Sequence, residues 1–220
     1  MLGHQQPLIR TKLIPPRLPR QTLARDNLLS RLAQAYELPL TIVQAGAGYG
    51  KSTALAAFAA QQTATVWYHL EAEDADPLRF LQHLLYGLGQ VDFGLVEVAQ
   101  VQLEQWDWDD AERSWWLICD TLVNALTQLP QELLLVLDDA HLLLDKPAGP
   151  LLQFLARLLQ HAPSTFHLLL ATRYAISLPN LLNLRMQLKM RRLDNPLSVR
   201  TARRELAVIR TVLNEKKRTA

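Results

Sequence analysis

The stretch Ala45-Gly46-Ala47-Gly48-Tyr49-Gly50-Lys51-Ser52-Thr53 decides the fold, because it fits the phosphate-binding loop pattern G-x-x-x-x-G-K-[ST] with alanine at the first position. Small residues let the backbone wrap around phosphate groups, and amides at the start of the following helix donate hydrogen bonds to them. The Lys51 ammonium neutralises phosphate charge, and the Ser52 hydroxyl can ligate Mg²⁺. The stretch predicts a site for a nucleotide with Mg²⁺; the alternative is a glycine-rich turn without a ligand.

Mostly apolar runs of strand length alternate with helical patterns on both sides of this loop. The predicted strands are residues 39–45, 64–70, 133–137 and 166–171, and the predicted helices are residues 51–61, 77–88, 111–129 and 150–161. Such alternation indicates βαβ units and a parallel sheet that is covered on both faces. Ligands of these sheets bind beyond the carboxyl ends of the strands, so the residues that follow each strand are the candidates for function.

Charged side chains follow two of the predicted strands. Asp138 and Asp139 come directly after the third strand, and Arg173 follows the fourth. In a P-loop enzyme Asp138 would hold the Mg²⁺ shell, Asp139 would orient the attacking water, and Arg173 would face the γ-phosphate. The alternatives are a solvated turn for the two acids and a surface arginine at the strand end.

Composition restricts the class of protein. The 220 residues are 49% apolar and 20% charged, which is enough for one sizeable core and excludes wholesale disorder. The single cysteine, Cys119, excludes an internal disulfide framework and a cysteine-based zinc cluster. No apolar run is long enough to span a bilayer, and residues 1–12 lack the apolar segment of a secretory signal. We therefore expect a cytoplasmic protein without a membrane partner.

Charge divides the chain into two parts. Residues 1–184 contain 12 Lys and Arg against 18 Asp and Glu, whereas residues 185–220 contain 11 against 3. In the basic part Leu181, Leu184 and Leu188 follow helical spacing, and a second apolar stripe follows the break at Asn195-Pro196, namely Ala202, Leu206, Ile209 and Leu213. The pattern predicts a basic helical hairpin that suits a polyanion; the alternative is a solvated basic helix.

Several further motifs occur in order along residues 10–180. They are Thr11-Lys12-Leu13-Ile14-Pro15-Pro16-Arg17, the phosphate-binding loop, Trp67-Tyr68-His69-Leu70 with Asp74 and Arg79-Phe80, Asp138-Asp139-Ala140-His141, and Thr172-Arg173. This series resembles the nucleotide-binding domain of MalT-like, LuxR-type transcriptional activators, which belong to the STAND class of signal-transducing ATPases. The resemblance implies ATP and Mg²⁺ as cofactors. It also implies that Lys51 and Ser52 hold phosphate and magnesium, that Asp138 and Asp139 form the acidic pair, and that Arg173 is the sensor.

The sequence departs from that family in two ways. Gly46 stands where the family usually has proline, which lowers the rigidity of the loop. The family's last strand, helical lid, winged-helix module, sensor repeats and DNA-binding helix-turn-helix have no counterpart in the sequence. We therefore expect nucleotide binding, slow ATP hydrolysis at best, an exposed edge of the sheet, and no DNA-binding module.

The basic tail resembles a different family. The segments Asn183-Leu184-Arg185-Met186-Gln187-Leu188, Asn195-Pro196-Leu197, Arg203-Arg204-Glu205-Leu206-Ala207 and Ile209-Arg210-Thr211-Val212-Leu213 are similar to the C-terminal half of bacterial ribosomal protein L twenty-nine, a helical hairpin bound to RNA of the large ribosomal subunit. The resemblance implies ribosomal RNA as the partner of the tail. The candidate RNA-binding residues are Arg191, Arg192, Arg200, Arg203, Arg204, Arg210, Lys216 and Lys217.

The predicted fold is α/β: an incomplete P-loop NTPase parallel sheet with helices on both faces, followed by a basic two-helix hairpin. The expected parts are an N-terminal arm and short helix (residues 1–36), the P-loop core (37–180) and the hairpin (181–220). Two functions stay open. The first is an ATP- and Mg²⁺-binding, regulator-like module joined to an RNA-binding tail, with slow ATPase activity at most. The second is a non-enzymatic constituent of the large ribosomal subunit that acts through the tail.

Overall fold

The computed structural model describes residues 7–18, 26–144, 149–175 and 208–210. The helices are α1 (Asp26–Ala33), α2 (Lys51–Ala59), α3 (Pro77–Val91), α4 (Glu97–Glu104), α5 (Ala111–Leu126), α6 (His141–Leu144) and α7 (Pro150–His161). The strands are β1 (Leu40–Gln44), β2 (Thr65–His69), β3 (Leu133–Asp138), β4 (Phe166–Thr172) and β5 (Val208–Arg210). All four predicted strands and all four predicted helices form, with ends that differ by at most three residues. Helices α4 and α6 were not predicted.

The five strands form one parallel sheet in the order β2-β3-β4-β1-β5. The α/β fold with a parallel sheet and helices on both faces is therefore confirmed. Because β1, β3 and β4 lie side by side and run in the same direction, the segments that follow them meet at one edge of the sheet. These segments are the phosphate-binding loop, the two acids and Arg173.

The sheet has an apolar core on each face. Strands β3 and β4 are buried along their whole lengths, as expected for strands that are covered on both sides. Helices α3, α5 and α7 pack on one face, where Phe80 stacks on Tyr68 at 5.6 Å between ring centroids and meets Phe154 edge-on at 5.8 Å. Helices α1 and α2 cover the other face through Leu32 and Phe58.

Helix α3 shows how local sequence sets an element. Asp76 caps its first turn, since the carboxylate accepts a 2.9 Å hydrogen bond from the Arg79 amide, and Pro77 occupies the first helical position.

Within residues 7–18, 26–144 and 149–175, no helix is long and apolar enough to cross a membrane.

Part of the N-terminal arm packs on the sheet. Residues Arg10–Leu13 form a 3-10 helix that lies against β2, and the Lys12 side chain is buried. The Lys12 ammonium contacts both carboxylate oxygens of Asp74, at 3.0 and 2.9 Å, and Oε2 of Glu71 at 2.8 Å. Since a buried ammonium requires such partners, these ion pairs attach the arm to the end of β2 and to the segment before α3.

One part of the tail departs from the prediction. Residues Val208–Arg210 form β5, which pairs with β1 in the register Ile42↔Val208 and Gln44↔Arg210, whereas the sequence predicted a helix here. The neighbouring Val208 and Ile209 are β-branched and favour extended backbone, and the edge of β1 offers unpaired backbone groups. The remaining predicted hairpin, residues 181–207 and 211–220, lies outside the described residues.

Candidate functional site

The loop at residues 45–50 joins β1 to α2 through two left-handed glycines. Gly48 has a φ of 79° and Gly50 a φ of 74°, values that residues with a side chain rarely adopt. A Cβ atom at either position would meet nothing within 4 Å, so backbone conformation rather than space requires glycine there. The Ala54 amide donates to the Gly50 carbonyl at 2.9 Å, which starts α2 and leaves the amides of its first turn without helical partners.

A cavity of about 390 Å³ opens at this end of the sheet. It lies within the range of roughly 300–1,000 Å³ that is usual for small-molecule sites. Its lining comprises Gly46, Ala47, Gly48, Tyr49, Gly50, Lys51, Ser52, Thr53, Asp139 and Arg173. Ala45 does not line it; its amide instead donates to the Thr172 carbonyl at 3.1 Å and extends the pairing of β1 with β4.

Two cations and two carboxylates meet in this site. The Lys51 Nζ lies 3.1 Å from Oδ1 of Asp138 and 3.3 Å from Oδ1 of Asp139. The Arg173 guanidinium binds Asp139 with two hydrogen bonds, Nε to Oδ1 at 3.1 Å and Nη2 to Oδ2 at 2.9 Å. The two positive charges of Lys51 and Arg173 balance the two negative charges of the carboxylates. Each carboxylate contacts a cation that phosphate groups would also attract.

Both carboxylates are strongly acidic despite their burial. Burial alone would raise the pKa of Asp138, but hydrogen bonds from His69, Lys51 and Ser52 and the charge of Lys51 outweigh it and lower that pKa to about 2. The pKa of Asp139 is likewise lowered, because the Arg173 hydrogen bond and the Lys51 charge exceed the effect of burial. Both groups are therefore ionised at neutral pH, the form that binds a cation.

Asp139 also has an unusual backbone. Its φ of 58° lies in the left-handed region, which aspartate tolerates better than most residues with a side chain. Such a conformation persists where the surroundings fix it. Here the Asp139 amide donates to Oδ1 of Asp138 at 3.1 Å, and the side chain is held by Lys51 and Arg173.

The structure adds His69 to the site. In the sequence, His69 was part of the motif Trp67-Tyr68-His69-Leu70 but was not a candidate site residue. His69 is the last residue of β2 and pairs in register with Asp138, and its Nδ1 lies 3.5 Å from Oδ2 of that carboxylate. The hydrogen bond to Asp138 raises the pKa of His69, although burial opposes the shift. Its position at the carboxyl end of a strand was the signal available in the sequence.

His141, the last residue of the Asp138-Asp139-Ala140-His141 motif, starts α6 and is buried. Its Nδ1 lies 3.8 Å from Oδ1 of Asp139, and its ring meets Tyr174 edge-on.

Of the predicted RNA-binding residues, the structure describes Arg210 alone. Arg210 belongs to β5, and the other seven lie outside the described residues: Arg191, Arg192, Arg200, Arg203, Arg204, Lys216 and Lys217. No group of three or more His, Cys, Asp or Glu side chains among the described residues is arranged to hold a metal ion by itself. A Mg²⁺ ion here would thus need oxygens from a phosphate ligand and water, as Mg²⁺ commonly does.

A family model described as "AAA domain" matches residues 18–177. The chain belongs to this AAA domain family. A second model, "Ribosomal L29 protein", matches residues 177–216, which follow the AAA domain directly. The resemblance of the basic tail to the ribosomal protein is therefore confirmed as a similarity.

The resemblance to MalT-like regulators is confirmed by curated relatives. The HTH-type transcriptional regulator MalT of Serratia proteamaculans is 32% identical over 166 residues, which cover 76% of this chain and 18% of the regulator. The MalT regulator of Cronobacter sakazakii is 30% identical over the same length and coverage. The chain thus spans about a fifth of the length of these regulators.

Two solved structures are similar at a TM-score of 0.46. The Walker-type ATPase of Pyrococcus abyssi is 15% identical and aligns with 86% of this chain and 54% of its own. The ORC1 protein of Aeropyrum pernix, solved in complex with DNA, is 21% identical and aligns with 82% of this chain and 46% of its own.

Proposed function

We propose that the AAA domain of this chain binds ATP with Mg²⁺ and acts as a regulator-like nucleotide-binding module. The observation that carries the proposal is the cavity at the carboxyl ends of the strands, which is lined by the start of α2, Lys51 and the ionised Asp139. The second ionised carboxylate, Asp138, contacts Lys51 at 3.1 Å. A helix N-terminus with a lysine suits phosphate groups, and the carboxylates suit the metal that accompanies them. The choice of ATP over other nucleotides rests on the resemblance to STAND ATPases.

Each side chain has a defined part in this proposal. Lys51 and the free amides of α2 bind the phosphates, while the Ser52 hydroxyl and the Asp138 carboxylate hold the magnesium shell. When bound, Mg²⁺ neutralises phosphate charge and fixes the orientation of the phosphate oxygens. Asp139 orients a water molecule towards the terminal phosphate, and Arg173 contacts that phosphate.

The ion pairs of the site also limit its activity. Phosphate binding requires Lys51 to exchange at least one carboxylate for phosphate oxygens, whereas Arg173 can keep its two hydrogen bonds with Asp139 when phosphate binds. While Arg173 stays on Asp139, neither the water-orienting carboxylate nor the sensor is available. We therefore propose that hydrolysis is slow and that binding is the main activity.

Titration calorimetry tests the proposal. The wild type should bind MgATP, and Lys51→Ala should lower its affinity at least a hundredfold, because the cation that neutralises the phosphates is lost. Arg113→Ala is the matched control, since it removes an exposed cation at the start of α5 and should bind like the wild type. Equal binding by the wild type and Lys51→Ala would refute the proposal.

The tail supports a second candidate function: the chain would be a structural component of the large ribosomal subunit. The match of residues 177–216 to the ribosomal L29 protein and the excess of eight positive charges in residues 185–220 favour it. If six phosphates are neutralised, the logarithmic salt slope of ribosomal RNA binding should be roughly −4 to −5. RNA binding that does not depend on salt would refute this candidate, whatever the nucleotide site does.

A further inference from the structure

The two oxygens of the Asp138 carboxylate have different neighbours. Oδ1 lies 3.1 Å from the Lys51 ammonium and accepts a hydrogen bond from the Asp139 amide at 3.1 Å. Oδ2 lies 3.5 Å from Nδ1 of His69. The Asp138 side chain is only 3% exposed, so its two sides are set by protein groups rather than by bulk water.

The backbone on both sides of this contact is fixed. His69 and Asp138 are partners in the β2–β3 register, and the next amide, that of Leu70, donates to the Asp138 carbonyl at 2.9 Å. Glu71 is held in turn by the buried Lys12 at 2.8 Å, and its amide donates to Asp74 at 2.8 Å. The imidazole is therefore presented to the carboxylate from a strand end with little freedom to move.

Core packing does not explain the position of the His69 side chain. The ring of His69 is 43% exposed, and the residue belongs to neither apolar cluster of the sheet, unlike Trp67 and Tyr68 just before it. A solvated strand end does not account for it either, because the ring nitrogen faces a buried carboxylate. What the ring can do is hold one oxygen of that carboxylate.

We propose that His69 is a positioning residue that orients the Asp138 carboxylate for Mg²⁺. This inference rests on the proposed function of the site. When Lys51 turns to the phosphates, Oδ1 of Asp138 loses the ammonium and becomes available to the magnesium shell, while His69 retains Oδ2. Such partners of metal-binding groups fix ligand orientation, and their loss typically lowers metal affinity 10- to 100-fold.

The test compares nucleotide binding with and without the metal. His69→Leu removes the nitrogen, and His69→Gln keeps a side-chain donor. Calorimetry gives the affinities for MgATP and for ATP in EDTA, and the electron paramagnetic resonance signal of free Mn²⁺ gives metal affinity in the presence of ATP. His161→Leu, an exposed histidine at the end of α7, is the matched control.

We expect His69→Leu to weaken MgATP and Mn²⁺ binding about tenfold and to leave metal-free ATP binding within twofold. His69→Gln should recover at least half of the loss on a logarithmic scale, and His161→Leu should match the wild type. Should His69→Leu fail to fold, His69→Ser keeps a polar strand end without reaching the carboxylate, and the same results are expected of it.

Two outcomes would overturn this inference without affecting the proposed nucleotide-binding function. One is a variant without the ring that binds MgATP and Mn²⁺ as the wild type does. The other is an equal loss of ATP affinity with and without metal, which would place the ring's effect on the nucleotide or on the fold. A wild-type chain that binds neither MgATP nor Mn²⁺ with ATP would overturn the proposed function, and the inference with it.

Discussion

In the AAA domain, between Leu40 and Thr172, the structure follows the sequence prediction closely, whereas in the basic tail the only described residues form an element that was not predicted. Two independent patterns coincide in the domain: strand-length apolar runs set the sheet, and polar residues directly after those runs set the site. In the tail only one kind of pattern was present, apolar stripes at helical spacing, and the stripe that includes Ile209 has four residues. Three residues of that stripe's helix instead pair with β1. A short periodic pattern is easily overridden where an open sheet edge offers backbone partners.

The largest expected effect tests whether the N-terminal arm is a structural part of the AAA domain. Lys12→Met leaves the buried Asp74 carboxylate with Arg79 as its remaining cation and should lower the free energy of unfolding by about 3 kcal/mol, the range for breaking a buried ion pair. Urea unfolding measures it. Arg17→Met, a change at an exposed residue of the same arm, should cost less than about 0.5 kcal/mol. Equal stability of both variants would show that the arm is an appendage.

The second effect is acid destabilisation of the domain by its own site. The pKa of Asp138 is about 2 in the folded protein and about 3.9 in an unfolded chain, so its ionised form contributes about 2 kcal/mol above pH 4. That stability should be lost as the pH falls from 4 towards 2. Unfolding by urea at several pH values checks it against Asp138→Asn, whose stability should fall less steeply there. Parallel curves for the two proteins would contradict the role of Lys51 and His69 in holding this carboxylate.

The third effect concerns the tail. Changing Arg203 and Arg204 together to glutamate should weaken binding of ribosomal RNA by about tenfold or more and should reduce the salt slope by about 2, because two phosphate contacts are lost. Binding curves at several salt concentrations measure both quantities, and MgATP binding by the same variant should not change. RNA binding retained by this variant would show that the tail is a solvated basic segment.

Particular residues show what the sequence could and could not predict. Lys51, Asp138 and Arg173 were predictable because a motif or a strand end locates each of them, and parallel strands bring those ends together. The Arg173–Asp139 ion pair was not, since it depends on the left-handed backbone of Asp139. His69 was missed because it lies inside the predicted strand 64–70, whereas β2 ends at His69 and brings it to the site through the register with β3. The 3-10 helix of Arg10–Leu13 was missed because only the folded chain places Asp74 next to Lys12.

The smallest expected effect separates the two regions most sharply. A chain that ends at residue 180 lacks β5 and the whole basic tail. It should bind MgATP within about threefold of the full chain, since the described lining of the cavity comes from the phosphate-binding loop, α2, Asp139 and Arg173. β5 pairs with Ile42–Gln44, and the phosphate-binding loop that follows is also tied to β4 through the Ala45 amide and the Thr172 carbonyl. A chain that ends at Arg210 keeps β5 and is the matched control. Calorimetry on both truncations would decide the point. If the shorter chain alone loses tenfold or more in affinity, about 1.4 kcal/mol, β5 supports the phosphate-binding loop, and residues 208–210 belong functionally to the AAA domain rather than to a separate RNA-binding tail.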